Sequence, residues 1–198
     1  MARTPSTMLE LGTKLPSFSL PDTVSGRTVT DQDVASRNGM LIMFICNHCP
    51  FVMHVLEEIG RVASDASAKE VGVAAISAND IESHPADAPD KMKELARKEG
   101  WSFPYLFDAT QETAKAFRAA CTPDFFLFDA SGNLVYRGQL DDSRPGNDVP
   151  VNGKDLRAAI EAVVAGRAVA ADQKPSIGCN IKWKAGNEPN WYGAATRT

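Results

Sequence analysis

The sequence lacks the long apolar segment that a membrane-spanning helix requires. No run approaches the roughly 18 apolar residues that such a helix needs, and residues 1–15 lack the charged-then-apolar pattern of a secretion signal. It also lacks a strong charge of either sign, because 21 Lys and Arg stand against 25 Asp and Glu. A net charge of −4 offers no basic patch to nucleic acid or to an anionic membrane surface. We therefore expect a cytoplasmic protein that binds neither nucleic acid nor membranes.

Internal repeats and low-complexity tracts are missing too, and 198 residues are few for two domains. A hydrophobic content of 43% is ordinary for a globular chain and allows a sizeable core without covalent staples. We predict a single domain over residues 1–198, with a core at about 15–168 and a C-terminal extension at 169–198. Its four cysteines, in a reducing compartment, are more often reactive or metal-binding than structural. The oligomeric state stays open.

One stretch joins an apolar run to two of these cysteines. Residues 41–45 (LIMFI) show no alternation of apolar and polar side chains, which is typical of a strand buried on both faces. Cys46 and Cys49 follow, and apolar residues then recur at helical spacing over residues 52–62. The cysteine pair is therefore predicted to lie where a buried strand gives way to the first turn of a helix.

That position favours a reactive thiol. Unpaired backbone N–H groups and the helix dipole stabilise a thiolate at the first turn of a helix. We expect Cys46 to be the more exposed sulfur and the nucleophile, and Cys49, one turn further in, to close a disulfide with it. The pattern thus predicts a redox dithiol whose partners are protein or small-molecule disulfides and thiols. We expect no cofactor and no resident metal, and the electron donor stays unknown.

The rest of the chain alternates between strand and helix signals. Turn residues predict a hairpin within residues 22–29 and a loop at 81–89. Further strands are predicted at 71–76, 103–107, 125–128 and 134–137, and helices at 90–99, 111–119 and 154–165. This order predicts an α/β domain in which helices flank a central mixed sheet with an antiparallel edge.

Three stretches resemble the peroxiredoxin-like branch of the redoxin (AhpC/TSA) superfamily. They are residues 46–52 (CNHCPFV), 121–129 (CTPDFFLFD) and 176–184 (SIGCNIKWK), and together they span most of the chain. The resemblance implies a thioredoxin-like fold and a thiol–disulfide oxidoreductase. In such proteins a loop proline is cis and lies against the dithiol. Pro123 matches that proline, so Thr122 and Pro123 are the implied substrate-binding residues.

The chain also departs from the pattern of peroxiredoxins. Those proteins carry a proline and a threonine or serine shortly before the cysteine that reduces peroxide. Here Ile42 and Cys46 hold these places before Cys49, and Gly39 and Met43 hold them before Cys46. The missing residues oppose efficient peroxide reduction, which stands as the first alternative function.

His48 resembles the histidine that precedes the second cysteine in oxidising thioredoxin-fold proteins. Its charged form would favour the thiolate of Cys46 and make the disulfide a stronger oxidant. The competing interpretation is an exposed histidine with little effect on the pKa of Cys46.

The second alternative function is copper or zinc handling, in which Cys46 and Cys49 bind the metal with His48 or His54. The strand at 40–45 offers no acid beneath the dithiol, so a base for Cys49 must come from elsewhere.

Two further cysteines are candidates for redox roles. Cys121, two residues before Pro123, is interpreted first as a small buried hydrophobe and second as a redox thiol. Cys179 lies in an aromatic tail that we expect to strap across the domain surface. It is either a resolving thiol for Cys46 or a cysteine that only packs, and the sequence does not decide between the two.

Overall fold

A computed structural model describes residues 3–192 of the chain. In chain order its elements are β1 (Thr4–Pro5), β2 (Ser19–Pro21), β3 (Thr28–Thr30), α1 (Asp31–Val34), β4 (Met40–Phe44), α2 (Pro50–Ala68), β5 (Gly72–Ser77), α3 (Pro89–Lys98), β6 (Tyr105–Phe107), α4 (Glu112–Ala116), β7 (Cys121–Thr122), β8 (Asp124–Phe128), β9 (Leu134–Gly138), α5 (Lys154–Val164) and β10 (Ile177–Asn180). A 3-10 turn at Pro85–Asp87 precedes α3. None of the helices described here combines the length and the apolarity that crossing a bilayer demands.

The central sheet has the order β6-β5-β4-β8-β9. Strand β4 runs parallel to β5, which runs parallel to β6, whereas β8 and β9 are antiparallel to their neighbours. The predicted α/β fold with a mixed sheet is therefore confirmed. All five residues of β4 are buried because apolar layers cover both faces of the sheet.

Alternate side chains of β4 contribute to two hydrophobic cores, one on each face of the sheet. Leu41 and Met43 pack with the apolar face of α2, whereas Ile42 and Phe44 pack with aromatic residues on the opposite face of the sheet. Phe44 meets Phe117 edge-on, with ring centroids 5.4 Å apart. Burying each such side chain contributes roughly 1.5–3 kcal/mol. This two-sided burial holds the end of β4, and therefore the cysteine pair that follows it, in a rigid frame.

A second, small sheet has the order β1-β10-β7 and joins the two ends of the chain. Strand β10 lies between β1 and β7 and is antiparallel to both. Ile181 and Trp183, which follow β10, are buried in the core on the face opposite α2. The tail is thus more than the expected surface strap, because its residues 177–183 complete a sheet and fill part of the core.

Two predicted elements differ in extent from the observed ones. The helix predicted over residues 111–119 is only Glu112–Ala116. Gln111 and Arg118 have φ of 67° and 51°, and these left-handed conformations stop the helix at both ends. The predicted strand at 103–107 begins only at Tyr105, one residue after Pro104. The hairpin is observed, with β2 paired antiparallel to β3.

Candidate active site

The backbone places both cysteines between β4 and α2, as predicted. Cys49 is the N-cap residue of α2, and Pro50 occupies the first helical position, where its missing N–H costs nothing. The expected exposure of Cys46 is wrong, because this residue is only 1% exposed and Cys49 is 0% exposed. Flanking loops and β7 close over the turn, and local sequence does not show that long-range packing.

Thr122 contacts both sulfurs. Its Oγ1 lies 3.4 Å from Cys46 Sγ, and its carbonyl oxygen accepts a hydrogen bond from Cys49 Sγ at 3.2 Å. The peptide bond between Thr122 and Pro123 is cis, as the resemblance implies. Both residues are buried, however, and Ser176 Oγ, next to β10, donates to the Pro123 carbonyl at 2.5 Å. The two implied substrate-binding residues are therefore covered by the chain's own tail.

The two thiols share a hydrogen bond, and this bond separates their pKa values. The hydrogen bond from Cys46 lowers the pKa of Cys49 to about 5, assisted against burial by the Cys179 thiol and by the N–H groups of Val52 and Cys179. Donating that bond, together with burial and the nearby charge of Asp87, raises the pKa of Cys46 well above its ordinary value. Sequence reasoning expected the thiolate on Cys46, and the structure reverses this order.

Asp87 is a site residue that sequence reasoning missed. Its carboxylate is fully buried and accepts hydrogen bonds from Asn47 N at 2.8 Å, Asn79 Nδ2 at 2.8 Å and His48 Nδ1 at 2.7 Å. It lies in the 3-10 turn within the predicted loop 81–89. The available signal is that this loop follows β5, whose carboxyl end adjoins that of β4 in a parallel pair.

His48 is partly exposed and is fixed by Asp87 rather than by a cysteine. Its ring stacks on His84, with centroids 5.0 Å apart. Burial, followed by the charges of His48 and Lys182, lowers the pKa of His84. One nitrogen of His48, one oxygen of Asp87 and Cys46 Sγ lie within 4.8 Å of one another, a donor set that suits a metal ion. His54 lies outside this cluster, with Nε2 2.8 Å from Ser143 Oγ.

The remaining cysteines occupy different surroundings. Cys179 is the register partner of Thr122 and lies in the same apolar cluster as Cys46 and Cys49, so its role as a resolving thiol for Cys46 stays a prediction. Cys121 is fully buried, and its Sγ faces the Pro123 carbonyl at 3.7 Å. Burial and the charge of Asp124 raise the pKa of Cys121 well above its ordinary value. This environment fits the interpretation of Cys121 as a small buried hydrophobe.

The strand before the dithiol, β4, carries no acid, as the sequence indicates. A buried acid lies instead on the neighbouring strand β8. Asp124 is the register partner of Phe44 and follows Pro123 directly. Ser6 Oγ donates to one of its oxygens at 2.5 Å, and the other oxygen has no hydrogen-bond partner among residues 3–192. Burial raises the pKa of Asp124 to about 7.

The mixed sheet, the cysteine pair at the N-terminus of α2 and the proline loop beside it define a thioredoxin-like protein with a dithiol site. The family model named Redoxin matches residues 10–156, which is most of the chain. The chain belongs to the Redoxin family, and it has the fold of thiol–disulfide oxidoreductases. No curated protein matches it significantly.

Solved structures agree with this assignment. An uncharacterised conserved protein from Geobacillus kaustophilus is 53% identical, with a TM-score of 0.91 over 93% of this chain and 97% of that one. A hypothetical protein from Sinorhizobium meliloti is 45% identical, with a TM-score of 0.90 over 92% and 100% of the two chains. A protein from Neisseria meningitidis that is provisionally named a thioredoxin is 25% identical, with a TM-score of 0.58 over 76% and 90%.

Proposed function

We propose that the protein catalyses thiol–disulfide exchange, with Cys46 as the nucleophile and Cys49 as the resolving sulfur. One observation carries the proposal: both sulfurs meet at Thr122, where Cys46 Sγ lies 3.4 Å from Oγ1 and Cys49 Sγ lies 3.2 Å from the carbonyl oxygen. Two thiols held against one residue at the N-terminus of α2 can join without rearrangement of the helix. Cys46 is assigned to the substrate because it adjoins the partly exposed residues Asn47 and His48, whereas Cys49 is backed by Cys179.

The shared proton gives each sulfur its task. As Cys46 attacks a substrate disulfide, its proton passes to the Cys49 thiolate, a Cys46–substrate disulfide forms and one substrate thiolate leaves. Cys49 then gives its proton to the departing thiolate and attacks the Cys46 sulfur. The Cys46–Cys49 disulfide forms and the second substrate thiolate leaves. The substrate gains two electrons, and a dithiol donor must return them for another cycle.

Access to the sulfurs requires movement of a covering segment. The turn Pro85–Asp87 is tied to the site through Asn47, whose Nδ2 donates to the Ala86 carbonyl at 2.9 Å. Strand β10 covers Thr122 and Pro123 on the other side. A substrate disulfide reaches Cys46 only when one of these coverings is displaced, so we expect slow reaction with bulky disulfides and faster reaction with small ones.

The trapping experiment tests both the activity and the roles. Reduced full-length protein is offered insulin and a small aromatic disulfide, with dithiothreitol as the electron donor. We expect turnover by the native protein, none by Cys46→Ser, and in Cys49→Ser a mixed disulfide on Cys46 that forms slowly, because Cys46 has lost its base, but is stable once formed. A Cys121→Ser variant serves as the matched control and should turn over normally. A mixed disulfide found only on Cys49 would reverse the roles, and a native protein that reduces neither disulfide would refute the function.

The donor set of Cys46, His48 and Asp87 supports a second candidate function, the handling of zinc or copper. Thiolate, imidazole and carboxylate are all ligands for Zn²⁺, and Cys49 offers a fourth donor nearby. Binding would replace the hydrogen bond between His48 and Asp87. Equilibration with Zn²⁺ or Cu⁺ followed by metal analysis tests it, with Asp87→Asn expected to lose metal and His54→Ala to retain it. Rapid peroxide consumption by the metal-free protein would instead favour the peroxidase alternative.

A further inference from the structure

Cys179 occupies a defined place against the dithiol. In the small sheet it is the register partner of Thr122, the residue that contacts the sulfurs of both Cys46 and Cys49. Cys49 and Cys179 also belong to the same apolar cluster. The pairing of β10 with β7 therefore brings a third thiol beside the residue that contacts both sulfurs of the dithiol.

The approach of β10 to this loop is close. At Gly178 a Cβ atom would lie 1.9 Å from the Thr122 carbonyl oxygen, so only glycine allows this spacing. Ser176 fixes the strand from its other end, through its Oγ bond to the Pro123 carbonyl and its backbone N–H bond to Ser6 Oγ at 3.0 Å. These contacts hold Cys179 in place next to the site rather than leaving it in a loose tail.

Cys49 Sγ donates to the Thr122 carbonyl oxygen at 3.2 Å, the same oxygen that a Cβ atom on Gly178, the neighbour of Cys179, would meet at 1.9 Å. Cys49 therefore lies close to the segment of β10 that carries Cys179, and the Cys179 thiol helps to lower the pKa of Cys49. Cys179 is 7% exposed, which makes it the most accessible of the four cysteines. Cys121 does not share this arrangement, because its Sγ faces the Pro123 carbonyl.

We propose that Cys179 is a third exchange thiol, to which Cys49 transfers its disulfide from Cys46. The proposal rests on the function proposed above, which supplies the Cys46–Cys49 disulfide. In the transfer, the Cys179 sulfur attacks Cys49, the Cys49–Cys179 bond forms and the Cys46–Cys49 bond breaks. Cys46 leaves as a thiolate and takes the proton that Cys179 gives up. One disulfide is exchanged for another, so no further oxidant or reductant is needed.

The transfer gives the protein a second oxidised form. In that form the disulfide joins the N-terminus of α2 to β10, and Cys46 is again a free thiol beside Thr122. The protein can then hold one disulfide and still attack a second one. The exchange also fastens β10 over the proline loop, whereas reduction of the Cys49–Cys179 bond frees it.

Disulfide mapping of full-length variants tests the proposal directly. Each variant is oxidised with diamide and digested with trypsin without reduction. Cys46 and Cys49 then lie in the peptide 38–61, Cys179 in 168–182 and Cys121 in 119–137. We expect a cross-link between 38–61 and 168–182 as the main oxidised species in Cys46→Ser, and its loss in Cys49→Ser. Cys121→Ser combined with Cys46→Ser should give the same cross-link as Cys46→Ser alone.

Three outcomes would overturn the proposal: no cross-link in Cys46→Ser, an equal cross-link in Cys49→Ser, or a cross-link to peptide 119–137 instead. Gly178→Val is the matched geometric variant, since its side chain must push β10 off Thr122. It should lose the Cys49–Cys179 cross-link and keep the Cys46–Cys49 disulfide. The native protein in a glutathione redox buffer gives a second measurement that does not depend on the folding of Cys46→Ser. There, a Cys46–Cys49 disulfide without any link to 168–182 rejects this proposal alone, whereas the absence of both disulfides rejects the proposed function.

Discussion

The two sulfurs of the dithiol lie in surroundings of opposite character, although both are buried. Near Cys46 the fixed charge is the carboxylate of Asp87, and the thiol acts as a hydrogen-bond donor. The Cys49 thiolate is favoured by the thiols of Cys46 and Cys179 and by the N–H groups of Val52 and Cys179, although its sulfur also lies 3.2 Å from the Thr122 carbonyl oxygen. Because donors stabilise a thiolate and a nearby acid opposes it, surroundings rather than exposure decide which sulfur is charged.

This difference gives the two sulfurs different roles in disulfide exchange. A thiolate that is fully buried can serve as a base for its neighbour, and the neighbour that keeps its proton can give it up at the moment of attack. Exchange then needs no separate acid or base beside the sulfurs. The difference also explains why a third thiol lies next to Cys49, since the Cys179 thiol is one more donor to that thiolate.

The largest expected effect comes from removing one sulfur. Cys46→Ala deletes the hydrogen bond that lowers the pKa of Cys49 most, so this pKa should rise from about 5 by more than about one unit. The ultraviolet absorbance of the thiolate, followed against pH, measures the change. In Cys49→Ala no thiolate should form at low pH, because burial and Asp87 still oppose ionisation of Cys46. A titration near pH 5 that survives in Cys46→Ala, or that occurs in Cys49→Ala, would contradict the comparison.

A second contrast concerns Asp87 and Asp124, two of the buried acids. Asp87 accepts three hydrogen bonds, whereas Asp124 accepts one from Ser6 and has a second oxygen without a partner in the described part of the chain. A folded-state pKa of about 7, against 3.8, means that the folded protein holds a proton which the unfolded chain has lost. Stability should therefore fall as pH rises from about 4 to about 7. The total is about 4 kcal/mol, at about 1.36 kcal/mol per pKa unit.

Asp124→Asn should remove this fall, so its free energy of unfolding in urea should exceed that of the native protein at pH 8 but not at pH 4. Asp129→Asn serves as a control with the opposite expected sign, because the pKa of Asp129 is lowered rather than raised. At Asp129, hydrogen bonds from Asn133 and Ser131 outweigh partial burial and lower the pKa, so this variant should lose stability near neutral pH. Parallel pH profiles for the native protein and Asp124→Asn would show that this carboxyl does not titrate as described.

Asp87→Asn sharpens the contrast between the sulfurs with a smaller change. In a Cys49→Ala background Cys46 titrates alone, and removing the carboxylate charge should lower the pKa of Cys46. The amide cannot accept from all three donors, so we also expect a loss of about 1–3 kcal/mol in unfolding free energy. Glu82→Gln, an exposed position in the same loop, should change neither quantity. An unchanged pKa of Cys46 in Asp87→Asn would show that the Asp87 carboxylate does not raise the pKa of Cys46.

His48→Ala should have the smallest effect. His48 Nδ1 is one of the three groups that bond to the Asp87 carboxylate, at 2.7 Å, so losing it leaves that negative charge less compensated and should raise the pKa of Cys46 by less than about one unit in the same background. His54→Ala is the matched control, because His54, on α2, bonds to Ser143 and not to Asp87. A fall in the pKa of Cys46, or an equal rise in both variants, would show that His48 does not offset Asp87.

Local patterns were sufficient to predict the frame of the molecule. The unbroken apolar run of β4 and the helical spacing of α2 predict the junction that carries the cysteines, and both elements are observed. The central sheet follows from the order of the segments. The small sheet escaped prediction because β1 and β7 have two residues each and β10 has four. Strands this short show no detectable alternation of apolar and polar residues. They are recognised as strands only from their hydrogen-bonded pairing in the structure.

The site was predicted in its residues but not in its electrostatics. Cys46, Cys49, Thr122 and Pro123 do meet, because strand order brings the proline loop to the end of β4. The preference for a thiolate on Cys49 depends on donors and acids that come from distant parts of the chain. Asp87 is 41 positions after Cys46 and Cys179 is 130 positions after Cys49. No local rule connects residues so far apart in sequence.

The most direct test is the redox equilibrium of the dithiol in the native, full-length protein. The protein is equilibrated in glutathione buffers of graded potential, its free thiols are trapped, and the oxidation state of each cysteine-containing peptide is measured. We predict that Cys46 and Cys49 oxidise together and reversibly as a two-electron couple while Cys121 stays reduced. If Cys46 and Cys49 stay reduced across the whole series until the protein unfolds, the central claim is wrong.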